Sequence, residues 1–349
     1  MVTIQDVARA AGVSTATVSR VMNHSGYVSE KTRKKVREAL KSLNYSPNPF
    51  AKGLITRKSE LIGYVLTNIE NPAYVPTARG IQDAAWVRHY QVLIYNTDGN
   101  EAREIEFLSH LRRIRVDGII HDSVETPESH LIRTHLSDLL NDGVPIVMLG
   151  TPIEGVRVDR VSINNAKGFH LIVEHLVQLG HRRIAFIGGP EKNFIAEDRL
   201  KAFVQSMESF GIEVDSELVR HADFRESGGY AEAAHLLAMD RPPTAIAAAN
   251  DLMAIGVLRC ARDHGVRVPE ELAVTGFDDI RDATLVFPSL TSVVVPSYDI
   301  GKRSVAILFE RIDGVDRLPE EIFIEPVLAI RESTVPRTAR RAKREAASR

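Results

Sequence analysis

The sequence has a single cysteine, Cys260, among 349 residues. One thiol excludes an intrachain disulfide, and with it the disulfide-stapled class of small secreted folds. Long apolar runs are also absent, since none reaches the roughly 18 residues that a membrane-spanning helix needs. The first residues, MVTIQDVARAAGVS, are amphipathic and include Asp6, so they lack the apolar core of a secretory signal peptide. We therefore expect a cytoplasmic protein of two or three domains.

Residue patterns typical of enzymes are missing as well. The sequence contains no nucleophile elbow G-x-S-x-G, no phosphate loop G-x-x-x-x-G-K-[ST] and no dinucleotide fingerprint G-x-G-x-x-G. His170, His175 and His181 are spaced by five and six residues, which does not place them on one helix face as a metal pair. Cys260 lies in an apolar helical stretch and is expected to be a buried, inert thiol. The sequence therefore predicts no enzyme, no metal site and no cofactor.

The formal net charge of −2 conceals a strong asymmetry along the chain. Residues 1–58 contain 11 Lys and Arg against 3 Asp and Glu, and residues 337–349 contain 6 against 1. The middle, 59–336, contains 27 against 42 and is acidic. A basic head on an acidic body indicates that the head contacts a polyanion. The basic tail has no assigned role, and the two interpretations left open are disorder and sequence-independent contact with DNA.

Three short helices are predicted in the first 45 residues. Apolar residues within Ile4–Ala11 follow the spacing of one helix face, and Gly12 is the residue type that ends a helix in a left-handed conformation. Ser14 suits the N-cap of a second helix over 15–22, and a third periodic run with a basic outer face starts at Ser29. This arrangement predicts a helix-turn-helix, and the alternative is a generic three-helix bundle with a basic surface.

The next segment, 47–58, predicts a linker with a conditional helix. Asn48 and Pro49 suit a helix start, but only a few residues follow and Gly53 lies among them. A helix this short is not stable alone in water, so we expect it to fold when a partner supplies contacts. Leu54 is apolar and has basic residues on both sides, which suits a wedge inserted into the minor groove of DNA.

These residues resemble a known family. VTIQDVARAAGVSTATVSRVMN and VSEKTRKKVREALKSLNYSPNPFAKGL are similar, over about 55 residues, to the DNA-binding head and hinge of the lactose-repressor/purine-repressor (LacI/GalR) family of bacterial transcription regulators. The resemblance implies a recognition helix in the major groove and a hinge helix whose leucine enters the minor groove. Arg20 can pair with guanine, and the methyl groups of Thr15 and Ala16 can contact thymine. The DNA contacts implied in this way are Thr3, Ser14, Thr15, Ala16, Thr17, Ser19, Arg20, Asn23, Ala51 and Leu54.

From Leu61 onward, short apolar strands alternate with amphipathic helices. The runs 61–66, 91–96, 116–121 and 145–149 are each typical of a buried parallel strand. The alternation restarts at VDRVSI, so the body contains two similar α/β halves, each with a parallel doubly wound sheet. The fold class is therefore an all-α helix-turn-helix head with a two-lobed α/β body.

The resemblance extends over roughly 61–335 and implies a body similar to periplasmic sugar-binding proteins, with three crossings between lobes near 160, 290 and 325. Ligands bind α/β sheets at the carboxyl ends of strands, so two facing sheets create a cleft. The pattern alone makes 68–74, 121–123, Asn250 and Asp278 candidates. By position, the resemblance implies effector contacts at Arg199, Phe224, Asn250 and Asp278, with Tyr74 in the first-lobe effector loop. Together with the strand-end pattern and the positions compared with purine-responsive members, the predicted effector contacts are Tyr74, Ser123, Asn164, Asn193, Arg199, Phe224, Asn250 and Asp278.

The chemistry of these residue types suits a sugar, because Arg199 donates in a fork, Asp278 accepts from hydroxyls and Phe224 stacks on a ring. For Asp278 the alternative is that it only orders its own loop, and for Tyr74 that it only packs at an interface. Purine-responsive members carry an arginine and a threonine where this chain has Asn193 and Ile195, and an aspartate where it has Asn164. These departures favour a sugar or related polyol. A nucleobase or another non-sugar metabolite, and a sugar-binding protein without a regulatory role, are the alternatives.

The expected protein is a cytoplasmic, nucleoid-associated transcriptional regulator, most simply a repressor. It would bind a pseudo-palindromic double-stranded DNA operator as a homodimer, bind a small-molecule effector between its lobes, and contact no membrane. The tail lacks the leucine heptad through which some family members tetramerise. The predicted domains are a helix-turn-helix domain (1–46), a hinge (47–58), a body (59–335) whose first lobe is 59–160 with 291–322 and whose second lobe is 161–290 with 323–335, and a basic disordered tail (336–349).

Overall fold

A computed structural model describes residues 2–22, 25–45, 58–122 and 129–335. The predicted hinge (apart from Lys58) and the predicted tail (336–349) therefore lie outside the described residues. The chain divides into two compact units, Met1–Ser59 and Glu60–Arg349. These units are called the head and the body.

The head consists of three helices, α1 (Ile4–Ala11), α2 (Thr15–Met22) and α3 (Glu30–Ser42). The Thr3 hydroxyl and the Asp6 carboxylate form a reciprocal capping box at the start of α1, which satisfies two otherwise unpaired N–H groups. At its end, Gly12 has a φ of 63°, the left-handed conformation that its sequence position predicted. Local residue chemistry therefore sets both ends of α1.

The second and third helices also begin where the sequence indicated. The Ser14 hydroxyl accepts from the Thr17 N–H at 3.2 Å, and the Ser29 hydroxyl accepts from the Thr32 N–H at 3.3 Å. The predicted apolar faces converge on one small core, in which Val7, Val18, Val21, Val36, Ala8, Ala11 and Ala39 are buried. The helix-turn-helix prediction is confirmed.

The body contains two six-stranded sheets with helices on their faces. The strands are β1 (Leu61–Leu66), β2 (Gln91–Asn96), β3 (Gly118–Asp122), β4 (Ile146–Leu149), β5 (Asp159–Ile163), β6 (Ile184–Gly188), β7 (Val219–His221), β8 (Ala245–Ala248), β9 (Ala273–Asp278), β10 (Thr291–Val294), β11 (Glu321–Ile324) and β12 (Val327–Ala329). The helices are α4 (Tyr74–Trp86), α5 (Glu101–Ile114), α6 (His130–Asn141), α7 (Asn165–Gln178), α8 (Phe194–Ser209), α9 (Glu226–Leu237), α10 (Asp251–Asp263) and α11 (Ser297–Ile312). None of the described helices is long and apolar enough to cross a bilayer.

Both sheets are doubly wound, as the alternation predicted. The strand order is β11-β5-β4-β3-β1-β2 in the first sheet and β12-β10-β9-β8-β6-β7 in the second. Every pairing in the first sheet is parallel, and in the second only the β10–β12 pairing is antiparallel. The strand order reverses beside β1 in the first sheet and beside β6 in the second, and such switch points place a crevice at the carboxyl ends of the strands.

The chain passes between the lobes three times, after Ile163, Val294 and Ile324; the first two crossings lie a few residues later than expected, and the third lies near 325 as expected. Strand β5 ends in the first sheet at Ile163, β10 belongs to the second sheet, and β11 returns to the first. The segments 161–163 and 323–324 therefore pair in the first sheet, and 291–294 pairs in the second, unlike the boundaries that the sequence suggested. The apolar strands of the two sheets have similar sequence patterns, so only the pairing with neighbouring strands shows to which sheet each strand belongs.

Two other elements differ from the expected pattern. The sequence pattern predicts a helix over 77–89, but α4 begins at Tyr74, and this earlier start is possible because Pro76 falls in the first turn, where no N–H is needed for a helical hydrogen bond. The three-residue edge strand β7 had no counterpart in the sequence pattern. Such a strand is too short to show an alternation of apolar and polar residues.

Candidate functional site

In the head, the second helix presents an exposed polar face. Ser14, Thr15, Ala16 and Arg20 are exposed, while Val18 on the same helix is fully buried. Arg20 forms no ion pair within the described residues, so its guanidinium is available for a ligand outside the chain. Helix α3 beside it is strongly basic, so a ligand of complementary charge would be a polyanion.

Of the remaining predicted DNA contacts, three belong to the described residues and three do not. Thr17 and Ser19 are half-buried on the second helix, and the Thr17 hydroxyl lies 2.9 Å from that of Ser14. The Thr3 hydroxyl donates to Asp6 at 2.7 Å as part of the helix cap. Asn23, Ala51 and Leu54 lie outside the described residues.

In the body, a cavity of about 680 Å³ lies between the two lobes, a volume suited to a small metabolite. Strand ends from both sheets line it, as the switch-point argument predicts. Six of the predicted effector residues line this cavity, namely Tyr74, Asn193, Arg199, Phe224, Asn250 and Asp278.

The innermost ion pair joins Arg199 on α8 to Asp278 at the end of β9. Arg199 Nη2 lies 3.0 Å from Asp278 Oδ1, Nη1 donates to the Ala249 carbonyl, and the guanidinium stacks 4.1 Å above the Phe277 ring. Burial raises the pKa of Asp278 above its usual value despite the arginine. Asp278 has a φ of 103°, a strained conformation of the kind that clusters at binding sites.

Asn250 and Phe224 form a second unit on the same lobe. Asn250 Oδ1 caps α10 by accepting from the Met253 N–H, and Nδ2 donates to the Phe224 carbonyl, both at 2.9 Å. Phe224 has a φ of 61°, and its ring lies so close to Gly189 that a Cβ there would be 2.2 Å from Cζ. The asparagine therefore holds the backbone of the residue whose ring faces the cavity.

The first-lobe wall contains a carboxyl that the sequence analysis did not name. Asp122, at the end of β3, accepts from the Tyr64 hydroxyl at 3.1 Å and lines the cavity. Burial raises the pKa of Asp122 to about 7. Tyr74 lies nearby, and burial followed by the Asp122 and Asp278 charges raises its pKa well above the usual value. The candidate range 121–123 contained Asp122, but Ser123, which was named, lies outside the described residues.

The structure places the two asparagines at the start of α7 differently from the prediction. Asn164 is the N-cap, and its Nδ2 donates to Glu325 at 2.8 Å, so it is not among the residues that line the cavity. Asn165, one residue later, lines the cavity and donates to Asp198 at 2.7 Å. Asn193 lines the cavity and caps α8 by accepting from the Ala196 N–H.

The histidines and the cysteine considered in the sequence analysis occupy structural positions in the body. The described residues contain no group of His, Cys, Asp and Glu that could hold a metal ion. His175 lies 2.8 Å from the Thr334 hydroxyl, and His170 stacks on Phe210. Cys260 is free and fully buried, and burial raises the pKa of its thiol. A raised thiol pKa keeps the group protonated and unreactive.

Comparison with known proteins assigns the family. Residues 3–48 match the family described as bacterial regulatory proteins, lacI family, and residues 173–334 match a periplasmic binding protein-like domain. The HTH-type transcriptional regulator DegA of Bacillus subtilis is 36% identical over 335 residues, which covers 96% of this chain and 98% of that protein. The chain belongs to the lacI family of bacterial regulatory proteins.

Two solved structures place this lacI-family chain among proteins of known architecture. The lac repressor dimer bound to operator and the anti-inducer ONPF is 30% identical, with a TM-score of 0.86 over 95% of this chain and 99% of that one. A transcriptional regulator CelR–cellobiose complex is 32% identical, with a TM-score of 0.72 over 95% and 100%. The chain is therefore a DNA-binding transcriptional regulator with an effector-binding body, and its family is one of regulators and not of enzymes.

Proposed function

We propose that this regulator is a homodimeric repressor that binds a pseudo-palindromic operator and is controlled by a sugar bound between the lobes of its body. The observation that carries the sugar assignment is the cavity itself, in which the Arg199–Asp278 pair and the Phe224 ring face the same space. A fork of donors, a carboxylate acceptor and an aromatic face are the groups that recognise a sugar ring. Its similarity to a cellobiose complex supports the same class.

The geometry of operator recognition supports the dimer. A helix-turn-helix head reads one half-site, so two heads are needed for a pseudo-palindrome. The similar lac repressor is described as a dimer bound to operator. A protein that works on chromosomal DNA acts in the cytoplasm, at the nucleoid.

Control by the effector requires a coupling between the two sites. Closure of the lobes around a sugar would change the spacing of the first lobes, to which the hinges connect. That spacing would favour or oppose folding of the hinge helices on the operator. We expect the sugar to release the repressor, since a change that separates the hinges removes their shared contacts with the minor groove.

A selection experiment tests the DNA-binding part of the proposal. The full-length protein is incubated with a random-sequence duplex pool, and the bound DNA is recovered and sequenced. Enrichment of a palindrome with two half-sites is expected. Enrichment of a single asymmetric site would contradict the dimer, and no enrichment would favour a sugar-binding protein without a regulatory role.

A ligand screen tests the effector part. Melting temperatures are measured with sugars and with nucleobases, and each hit is repeated in an operator titration. A sugar that stabilises the protein and changes its operator affinity is expected. Stabilisation by a nucleobase alone would overturn the sugar assignment. The side chains argue against that result, because Asn193 is committed to a helix cap and Ile195 is apolar.

A further inference from the structure

The inner wall of the cavity, meaning its lining residues that are not exposed, carries carboxyl groups from both lobes. Asp122 belongs to the first lobe, and Asp198 and Asp278 belong to the second. Asp122 Oδ2 accepts from Tyr64, and no cation within the described residues forms an ion pair with this carboxyl. Asp278 has one oxygen engaged by Arg199. Each of these two carboxyls therefore retains an oxygen that can accept from a ligand.

The charges of the arginines on the inner wall are already balanced by ion pairs. Arg199 pairs with Asp278 and its other terminal nitrogen donates to a carbonyl, which leaves only its buried Nε without a hydrogen-bond partner. Arg160 pairs with Glu321, and its Nη1 donates to the Gly150 carbonyl at 2.6 Å. Lys192 and Arg225 also line the cavity, but both are exposed, and Arg225 lies 3.8 Å from Glu70. Among the described residues, an incoming anion would thus find no guanidinium on the inner wall that is free of an ion pair.

Anions are bound in proteins by charge-assisted donors, most often by a bidentate arginine fork. A phosphate or carboxylate inside this cavity would lie among carboxyl groups instead, and like charges at short range repel strongly where water is excluded. Hydroxyl groups meet the opposite situation, because each can donate to a carboxyl oxygen. The walls from both lobes therefore favour a neutral ligand with donors on two sides.

We propose that the cavity accepts an uncharged, hydroxyl-bearing effector, excludes its phosphorylated and carboxylated derivatives, and owes this preference in the first lobe to Asp122. The proposal rests on the sugar-controlled function above and narrows the class of sugar. Asp122 accepts a hydroxyl hydrogen bond from the effector, and Tyr64 is the positioning residue that holds its other oxygen. Burial raises the pKa of Asp122, as expected for a carboxyl without an ion-pair partner among the described residues.

Matched pairs of probes test the class by titration calorimetry on the full-length protein above pH 7, where the Asp122 carboxyl is mostly ionised. The probes are ribose with ribose 5-phosphate, glucose with glucose 6-phosphate and gluconate, and neutral disaccharides and polyols. We expect at least one neutral probe to bind, and its anionic partner to bind at least about tenfold more weakly, the scale of one charge-assisted hydrogen bond. An anionic probe that binds as tightly as its neutral partner would overturn the proposal, as would a panel in which no neutral probe binds.

Two variants test the role of Asp122. Asp122→Asn keeps the size and an acceptor for Tyr64 but removes the charge, so neutral binding should fall by about tenfold and the ratio of anionic to neutral affinity should rise. The matched control is Asp240→Asn, which makes the same change at an exposed residue outside the cavity and should leave both affinities within about twofold. Equal effects of the two variants would overturn the assignment to Asp122.

A third variant keeps the test decisive if Asp122→Asn unfolds. Tyr64→Phe leaves the charge in place but removes the hydroxyl that fixes it, so neutral binding should weaken while anionic probes stay excluded. Loss of that exclusion would overturn the proposal. The operator selection is a separate experiment. An enriched palindrome would support the DNA-binding function even if the calorimetry overturned the proposal of a neutral effector.

Discussion

At the scale of single residues, Asn250 illustrates how one side chain joins the fold to the site. Its two polar atoms cap α10 and hold the Phe224 carbonyl, and the residue is 2% exposed. Asn100 makes the same capping bond to the Arg103 N–H at 3.0 Å but is exposed and lies on the opposite lobe. Comparison of the two asparagines therefore separates the contribution of a helix cap to stability from that of the buried hydrogen bond to the Phe224 carbonyl.

We therefore expect Asn100→Ala to lower the free energy of unfolding by about 1 kcal/mol, the usual value of a cap. Asn250→Ala should cost about 2–3 kcal/mol, because the Phe224 carbonyl also loses a buried partner, and it should weaken effector binding. Urea denaturation and calorimetry measure the two effects. Equal losses of stability, with binding unchanged, would show that the asparagine is only a cap.

Asp122 predicts a pH dependence of stability with a definite sign. Its pKa is about 7 in the folded protein, raised from 3.8 by burial. Between these values the folded state binds more protons than the unfolded state, so the stabilising contribution is complete below about pH 4 and is lost as the pH rises through 7. The slope cannot exceed about 1.4 kcal/mol per pH unit for one group.

Asp122→Asn removes this titration and leaves other groups in place. Relative to the parent protein, the variant should therefore gain stability as the pH is raised from 5 to 8. Melting temperatures of both proteins across that interval give the difference. A difference that stays constant with pH would mean that the Asp122 carboxyl titrates alike in the folded and unfolded states.

At the scale of elements, two glycines allow α4 and α11 to cross at close range. A Cβ on Gly80 would lie 2.1 Å from the Tyr298 carbonyl oxygen, and one on Gly301 would lie 2.2 Å from that of Thr77. Both obstacles are backbone atoms, so a helix would have to move to make room. These contacts fix how the helix that follows the second crossing packs back on the first lobe.

Gly301→Ala should accordingly destabilise the body by at least about 2 kcal/mol, the scale of overpacking in a tight core. The control is Gly143→Ala, where φ is 83° but no atom lies within 4 Å of the added carbon. It should cost about 1 kcal/mol, the strain of the left-handed conformation alone. Chemical denaturation monitored by circular dichroism compares the two, and a smaller loss for Gly301→Ala would contradict the packing argument.

The recognition helix, α2, gives a prediction for sequence readout. Arg20→Ala should cost about 1–3 kcal/mol per half-site and relax specificity at one base pair, since an arginine fork discriminates guanine. Lys34→Ala, an exposed substitution on α3, should instead weaken binding to all sequences alike. Gel-shift titrations on operator variants and random DNA measure both. Unchanged affinity of the Arg20 variant on every duplex would remove Arg20 from the interface.

The hinge prediction rests on the sequence, because Leu54 lies outside the described residues. Leu54→Ala should weaken binding to the operator while leaving binding to random DNA nearly intact, since a wedge acts only where the minor groove opens. The same titrations distinguish the two duplexes. Equal loss on both would mean that Leu54 is not a wedge.

At the scale of the whole molecule, the charge asymmetry acquires a function. Residues 1–58 contain 11 basic and 3 acidic side chains, and the chain belongs to a DNA-binding family. The acidic 59–336 segment opposes contact with the same duplex outside the head. We therefore expect the basic head to contact phosphates, while the acidic body contains the cavity.

Operator affinity should consequently fall by at least about 100-fold between 50 and 200 mM salt, because each neutralised phosphate releases counterions. Binding of a neutral effector should change little over the same range, which provides the internal control. Fluorescence anisotropy gives the first slope and calorimetry the second. A nearly flat operator slope would contradict recognition through phosphates.

The sequence by itself determined the features that depend on local chemistry. Gly12 and Ser14 mark helix boundaries because a left-handed cap and a hydroxyl N-cap need only neighbouring backbone groups. The alternation of apolar strands and amphipathic helices fixed the doubly wound class for the same reason. Asn250 and Asp278 could be named because they follow strand ends, whereas Arg199 was named from the resemblance to the family.

Only the tertiary structure decided what depends on partners distant in sequence. Strand β10 belongs to the second lobe because it pairs with β9, and Asn165 rather than Asn164 lines the cavity because α7 turns it toward Asp198. The sequence placed Asp122 in a candidate range, but only folding shows that it lines the cavity, accepts from Tyr64 and forms no ion pair among the described residues. Burial and pairing belong to the assembled molecule, and no local pattern contains them.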